Sequence, residues 1–171
     1  KQIQATIAEI LGEVTRQTAS FLTEVLPSIQ KDWWQQCVLR NLGTSQLRHI
    51  ERDNIKTLEK LDLAALLRVL DQNWYEISSS LKLSRESRHF VKEMQTIRNH
   101  WAHMCSEGIS REDAYRDLDT IQRFALVVDA DDSLVKSIHA IKKSLITQET
   151  KPREQEIVSV PEAPENTTAP K

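Results

Sequence analysis

Residues 97–105 read IRNHWAHMC, and Arg98, Asn99, His100 and His103 fall within about two turns of an apparent helix. Arg98 is a permanent planar cation that can hold a phosphate, or the charge developing on one, through paired N–H donors. Histidine is the residue type best suited to moving protons near neutral pH, which makes His103 the candidate acid or base. Asn99 both donates and accepts, so it can orient the histidine or a bound group. These residue types at this spacing suit phosphoryl transfer without a metal.

Two other readings fit the same residues. The four polar groups can be a solvated flank of a bundle helix, and residue chemistry alone puts this reading first, because such groups are mostly exposed. A metal site would use His100 and His103 with Cys105. The chain has no HExxH or CxxC spacing, and His49, His89 and His139 are scattered, so no metal and no other cofactor is expected. Helix geometry also limits a site built on one chain. At ~100° per residue, Asn99 and His103 lie ~40° apart around the axis, whereas Arg98 and His103 are ~140° apart. Two copies of the helix facing each other would join these groups more easily.

The elements that must position this cluster read as helices. The chain has 171 residues with only three Gly and five Pro, and four of those prolines fall in residues 152–171. No segment alternates with period two, and the body is rich in strong helix formers. Ile3, Ile7, Ile10, Val14, Thr18, Phe21 and Val25 mark a narrow apolar stripe on a helix that Pro27 should end. Its near-heptad spacing suits a bundle helix or a self-association seam. A second, shorter helix should start at Pro27 or Ser28 and stop before Gly43, with one of the adjacent Trp33 and Trp34 in the core and the other at a groove or interface. Leu47, Ile50 and Leu58 suggest a further short helix facing inward. Asp62 should cap a helix with Ala65, Leu66, Val69, Leu70 and either Trp74 or Tyr75 inside.

Ser84 is the expected cap of the motif helix, whose stripe is Phe90, Met94, Ile97, Trp101 and Met104 or Cys105, with Gly108 as its stop. Ser110 and Asp113 form a capping-box pattern before a helix carrying Ala114, Leu118, Ile121, Ala125 and Val128. Leu134, Ile138, Ile141 and Leu145 mark the last helix. The expected organisation is one all-α, up-and-down bundle with short additional helices over residues 1–147. Residues 148–171, rich in Pro, Glu and Thr, read as a disordered tail or linker.

Charge narrows the partners. The tail holds three basic and five acidic groups of the 23 and 25 in the chain, so the body carries 20 of each and is neutral. A neutral body does not favour broad phosphate-backbone binding, so any nucleic acid must be met locally. Arg40, Arg48, His49, Arg52 and Lys56 offer one local patch, but Glu51, Asp53 and Glu59 interleave with it. No run of about 18 apolar residues exists to span a membrane. The two cysteines, Cys37 and Cys105, lie in no paired motif, which fits a reduced intracellular setting. The chain opens on Lys1, which suggests a processed product or a piece of a longer protein with fused or associated domains.

The six residues RNHWAH match the pattern of Arg, polar residue, three variable residues and His found in the HEPN superfamily of small helical bundles. With LDLAALLRVLDQNWYEIS upstream, FVKEMQTIRNHWAH around it and ISREDAYRDLDTIQRF downstream, the chain resembles one particular HEPN subfamily. That subfamily was first noted beside the PIN-type endoribonuclease of yeast transcription-coupled mRNA surveillance. The likeness covers about residues 58–145, with the N-terminal helix fitting more loosely. It implies a homodimer formed along the motif helix and metal-independent endoribonuclease activity on RNA in a larger RNA-processing or defence protein. A non-catalytic HEPN module for RNA binding or protein assembly is the alternative. The implied catalytic residues are Arg98, Asn99 and His103, with His100 a neighbour that can touch RNA. Asp71 or Asn73 would support the site from an earlier helix. HEPN toxins controlled by a nucleotidyltransferase often carry Tyr two residues after the motif His; here that position is Cys105, which puts such control in doubt.

Overall fold

The computed structural model describes residues 2–103 and 108–147. Among these the architecture is all-α: α1 (Gln2–Ile29), α2 (Thr44–Arg52), α3 (Leu63–Gln72), α4 (Trp74–Leu81), α5 (Ser87–Ala102), α6 (Arg111–Val127) and α7 (Asp132–Thr147). Short π and 3-10 turns join the early helices. The expected disorder of the tail, and the expected inward positions of Met104 and Cys105, lie outside the described residues.

The apolar spacing of α1 places Ile7, Ile10, Val14 and Val25 in the core, as its stripe requires, but Ala19, Leu22 and Leu26 are buried as well. The face is wider than the sequence stripe because α1 touches α3, α4, α6 and α7 and is enclosed on several sides. Its near-heptad therefore serves the bundle interior of this chain. Thr18 joins that interior by donating its hydroxyl to the Val14 carbonyl at 2.7 Å. Pro27 does not end the helix, which runs on to Ile29. In the last turn a missing N–H removes one ladder bond, and the Leu26 carbonyl still receives the Gln30 N–H at 3.1 Å.

The expected second α-helix is replaced by a π turn, Trp34–Val38, followed by a 3-10 turn, Leu39–Asn41. Two asparagines hold this irregular path by donating to the Cys37 carbonyl, Asn41 at 2.9 Å and buried Asn73 at 2.8 Å. Gly43 does not trail a helix but opens α2, its N–H donating to Gln46 Oε1 at 3.0 Å. Trp33 and Trp34 meet edge-on with centroids 5.8 Å apart, and both are half-buried, so neither is a core residue.

Asp62 caps α3 as expected, Oδ1 accepting from the Ala65 N–H at 2.9 Å. Asn73 then breaks the chain into α3 and α4, which turns Trp74 inward at 5% exposure and leaves Tyr75 79% exposed. Ser84 is not the helix cap: α5 begins at Ser87, and the Ser84 hydroxyl meets that of Ser87 at 2.9 Å. Met94, Ile97 and Val91 form the buried stripe of α5, with Phe90 and Trp101 half-buried at its edges. The helix ends at Ala102 with His103 as its C-cap, ahead of Gly108.

Ser110 caps α6 by accepting the Asp113 N–H at 3.1 Å, and Phe124 adds a fully buried ring to the expected α6 stripe. The later helices pack in pairs, α3 on α5, α5 on α6 and α6 on α7, around the α1 face. Gln17 of α1 locks the α6–α7 turn with two bonds to Asp131, one to its side chain at 3.0 Å and one from its N–H at 2.8 Å.

Candidate functional site

The motif helix α5 is held from both sides. On the α3 side, buried Asp71 accepts from Arg88 Nε at 3.1 Å and Lys92 Nζ at 2.7 Å. On the α6 side, Trp101 Nε1 donates to Asp117 at 3.1 Å, and Thr120 donates to Glu93 at 3.2 Å. The C-terminal half of α5, which carries the motif, is thereby fixed in the bundle while its polar residues face outward.

Arg98 is half-buried, and Asn99, His100 and His103 are exposed. One Arg98 Nη1 hydrogen reaches Asn99 Oδ1 at 3.4 Å, a long contact that leaves most of the guanidinium uncommitted. The His103 N–H caps the helix on the Asn99 and His100 carbonyls, at 3.3 and 3.2 Å. Its ring has no hydrogen-bonding partner among the described residues. One chain thus brings Arg98 and Asn99 together but does not bring the His103 ring to Arg98.

Arg98 and Asn99 open onto a groove of about 260 Å³, lined also by Gln46 of α2, by Ala64, Leu67 and Arg68 of α3, and by Gln95 of α5. A larger hollow of about 570 Å³ lies between α6 and α7 and includes no motif residue. His100 is not among the groove's described lining residues and lies within electrostatic reach of Asp117 on α6. The two residues expected to support the site do other work in the fold. Asp71 anchors the first half of α5, and Asn73 holds the Cys37 and Val69 carbonyls. In the early helices, Arg40 bonds to Gln36, while Arg52 and His49 pair with Asp53. Among the described residues no three His, Cys, Asp or Glu side chains cluster in a way that would hold a metal ion.

The family model for the Swt1-like HEPN domain matches residues 10–129. The chain belongs to the Swt1-like HEPN family. No curated protein and no solved structure matches it. The matched region begins within α1 and takes in the whole motif helix and every residue of the groove. The N-terminal helix, whose residues resemble the family more loosely, is therefore mostly inside the HEPN domain. Membership supports, in general terms, a ribonuclease-like or RNA-binding module. No helix among the described residues is long and apolar enough to cross a membrane.

Two groove residues of this HEPN domain, Gln46 and Arg68, carry no signal in the motif. The one hint for Arg68 is its place as a lone charge in the apolar run LAALLRVL.

Asp117 gives the HEPN bundle a pH signature. Burial raises its pKa above the ordinary value of 3.8, outweighing the Trp101 hydrogen bond and the His100 charge, which act in the opposite direction. A carboxyl with a raised folded pKa binds protons more tightly folded than unfolded, so its contribution to stability falls as pH rises from about 4 through the folded value. The neutral variant Asp117→Asn keeps an oxygen for Trp101 and lacks this loss. Thermal melts should show the variant gaining on wild type between pH 4 and pH 7, and identical pH profiles would refute the account.

Proposed function

We propose that this HEPN domain is a metal-independent endoribonuclease module that works as a homodimer through α5, within a larger intracellular RNA-processing or defence protein. The observation that carries the reading is the split of the motif. Arg98 and Asn99 sit together on a groove with no carboxylate among its described lining residues, while the His103 ring, without a partner among the described residues, stands at the exposed end of the same helix.

In the reaction His103 takes the proton of the ribose 2′-hydroxyl. The 2′-oxygen then attacks the adjacent phosphorus, and the bond to the 5′-oxygen of the next nucleotide breaks. That leaving oxygen takes a proton, giving a 2′,3′-cyclic phosphate and a 5′-hydroxyl. Arg98 N–H donors hold the charge that builds on the phosphate oxygens, and Asn99 orients His103 or the RNA. The angle of ~140° between Arg98 and His103 around the helix is closed by a second copy, whose His103 faces the first copy's Arg98.

Co-expressed Arg98→Ala and His103→Ala chains test the shared site. Half of randomly formed dimers are mixed, and each mixed dimer has one complete site of two, so about a quarter of wild-type cleavage should return. Activity no greater than that of either variant alone would refute a site shared between copies. The neutral body favours a second reading, a HEPN module that binds RNA or a partner without cutting. A folded dimer that binds RNA and never cleaves it would establish that alternative.

A further inference from the structure

The groove beside Arg98 receives two donors that the motif does not contain. Arg68 Nε donates to the Asn41 carbonyl at 2.6 Å, which sets the plane of its guanidinium. The remaining Arg68 donors have no partner among the described residues, and no carboxylate lines the groove. Gln46 uses its oxygen on the Gly43 N–H, so the end it has left is the NH2 donor. Arg98 adds a guanidinium whose one described bond is the long contact to Asn99. Three elements therefore bring donors to one space that holds no competing carboxylate among the described residues. An anion with several oxygens is the complementary ligand.

We propose that this groove is a phosphodiester-binding subsite, with Arg68 and Gln46 gripping the RNA backbone beside the linkage that is cut. The inference rests on the endoribonuclease reading and adds to it the residues that hold the flanking nucleotide. An RNA strand fits better than an acidic peptide because Arg98, which holds the phosphate that is cut in the proposed reaction, lines the same groove as Arg68 and Gln46, so a neighbouring phosphate of one backbone can reach these two residues.

The test uses the whole chain and a short single-stranded RNA with 2′-O-methyl riboses, which binds without being cut. Fluorescence anisotropy is read over a salt series for wild type, Arg68→Ala, Gln46→Glu and Arg98→Ala. Gln46→Glu keeps an oxygen for Gly43 and places a negative charge in the groove, so it separates binding from folding. We expect Arg68→Ala and Gln46→Glu each to weaken Kd about tenfold at low salt. For Arg68→Ala the log–log salt slope should fall by about 0.7, the loss of one phosphate contact on a single strand. If both bind like wild type while Arg98→Ala binds less, the subsite is overturned and the endoribonuclease reading stands. If wild type neither binds this RNA nor cleaves an unmodified one, both fall. A polyglutamate peptide that binds as tightly, with the same dependence on Arg68, overturns the phosphodiester assignment.

Discussion

Replacing His103 with alanine should lower RNA cleavage ~10²- to 10⁴-fold while leaving the fold intact, the range that loss of a general acid or base produces. The ring is exposed and has no described partner, so the substitution removes no core contact, and stability should change by no more than about 0.5 kcal/mol. RNA affinity should hold, because His103 moves a proton and is not the principal anchor. Arg98→Ala should behave differently. It removes a charge from the groove, so binding and cleavage should decline together, as expected when an interaction made in both ground and transition states is lost. Initial rates and anisotropy on the same preparations separate the two patterns. Cleavage that survives His103→Ala would remove this residue from the chemistry.

The largest expected effect on stability lies at the other end of α5. Asp71 is 4% exposed, and its carboxylate is balanced by Arg88 and Lys92, whose side chains are 48% and 54% exposed. The double variant Arg88→Met, Lys92→Met strands a buried charge and should cost about 2–3 kcal/mol in chemical denaturation, below the usual figure for a fully buried pair because water reaches both cations. Adding Asp71→Leu removes the stranded charge and should return much of the loss. If the double variant is as stable as wild type, Asp71 does not anchor the motif helix to α3. The same triad predicts a kinetic consequence: the double variant should lose cleavage in proportion to its loss of folded protein and no more.

The spacing of apolar residues shows most helices because each buries one stripe, and the caps at Asp62 and Ser110 are local enough to read directly. The failures are places where distant residues decide. The path from Trp34 to Asn41 leaves an α-helix because Asn73, on a separate element, supplies a donor to the Cys37 carbonyl. Pro27 looks like a stop, yet in a last turn backed by the buried Leu26 it removes little. The motif itself is legible in RNHWAH, since its residue types and spacing are local. Its surroundings are not: Gln46 and Arg68 join Arg98 only when α2 and α3 are packed against α5. From sequence Asp71 is a polar group on an earlier helix that could support the site. Only the packed bundle gives it to Arg88 and Lys92.

The most direct test of the central claim is the chemistry of the cut end. The wild-type chain should be incubated with a labelled single-stranded RNA in excess EDTA, and the products resolved by mass spectrometry. The account predicts internal cleavage that leaves a 2′,3′-cyclic phosphate on one fragment and a 5′-hydroxyl on the other, and its loss in Arg98→Ala and His103→Ala. Cleavage that stops in EDTA, ends in a plain 3′-hydroxyl, or persists in both variants would contradict it.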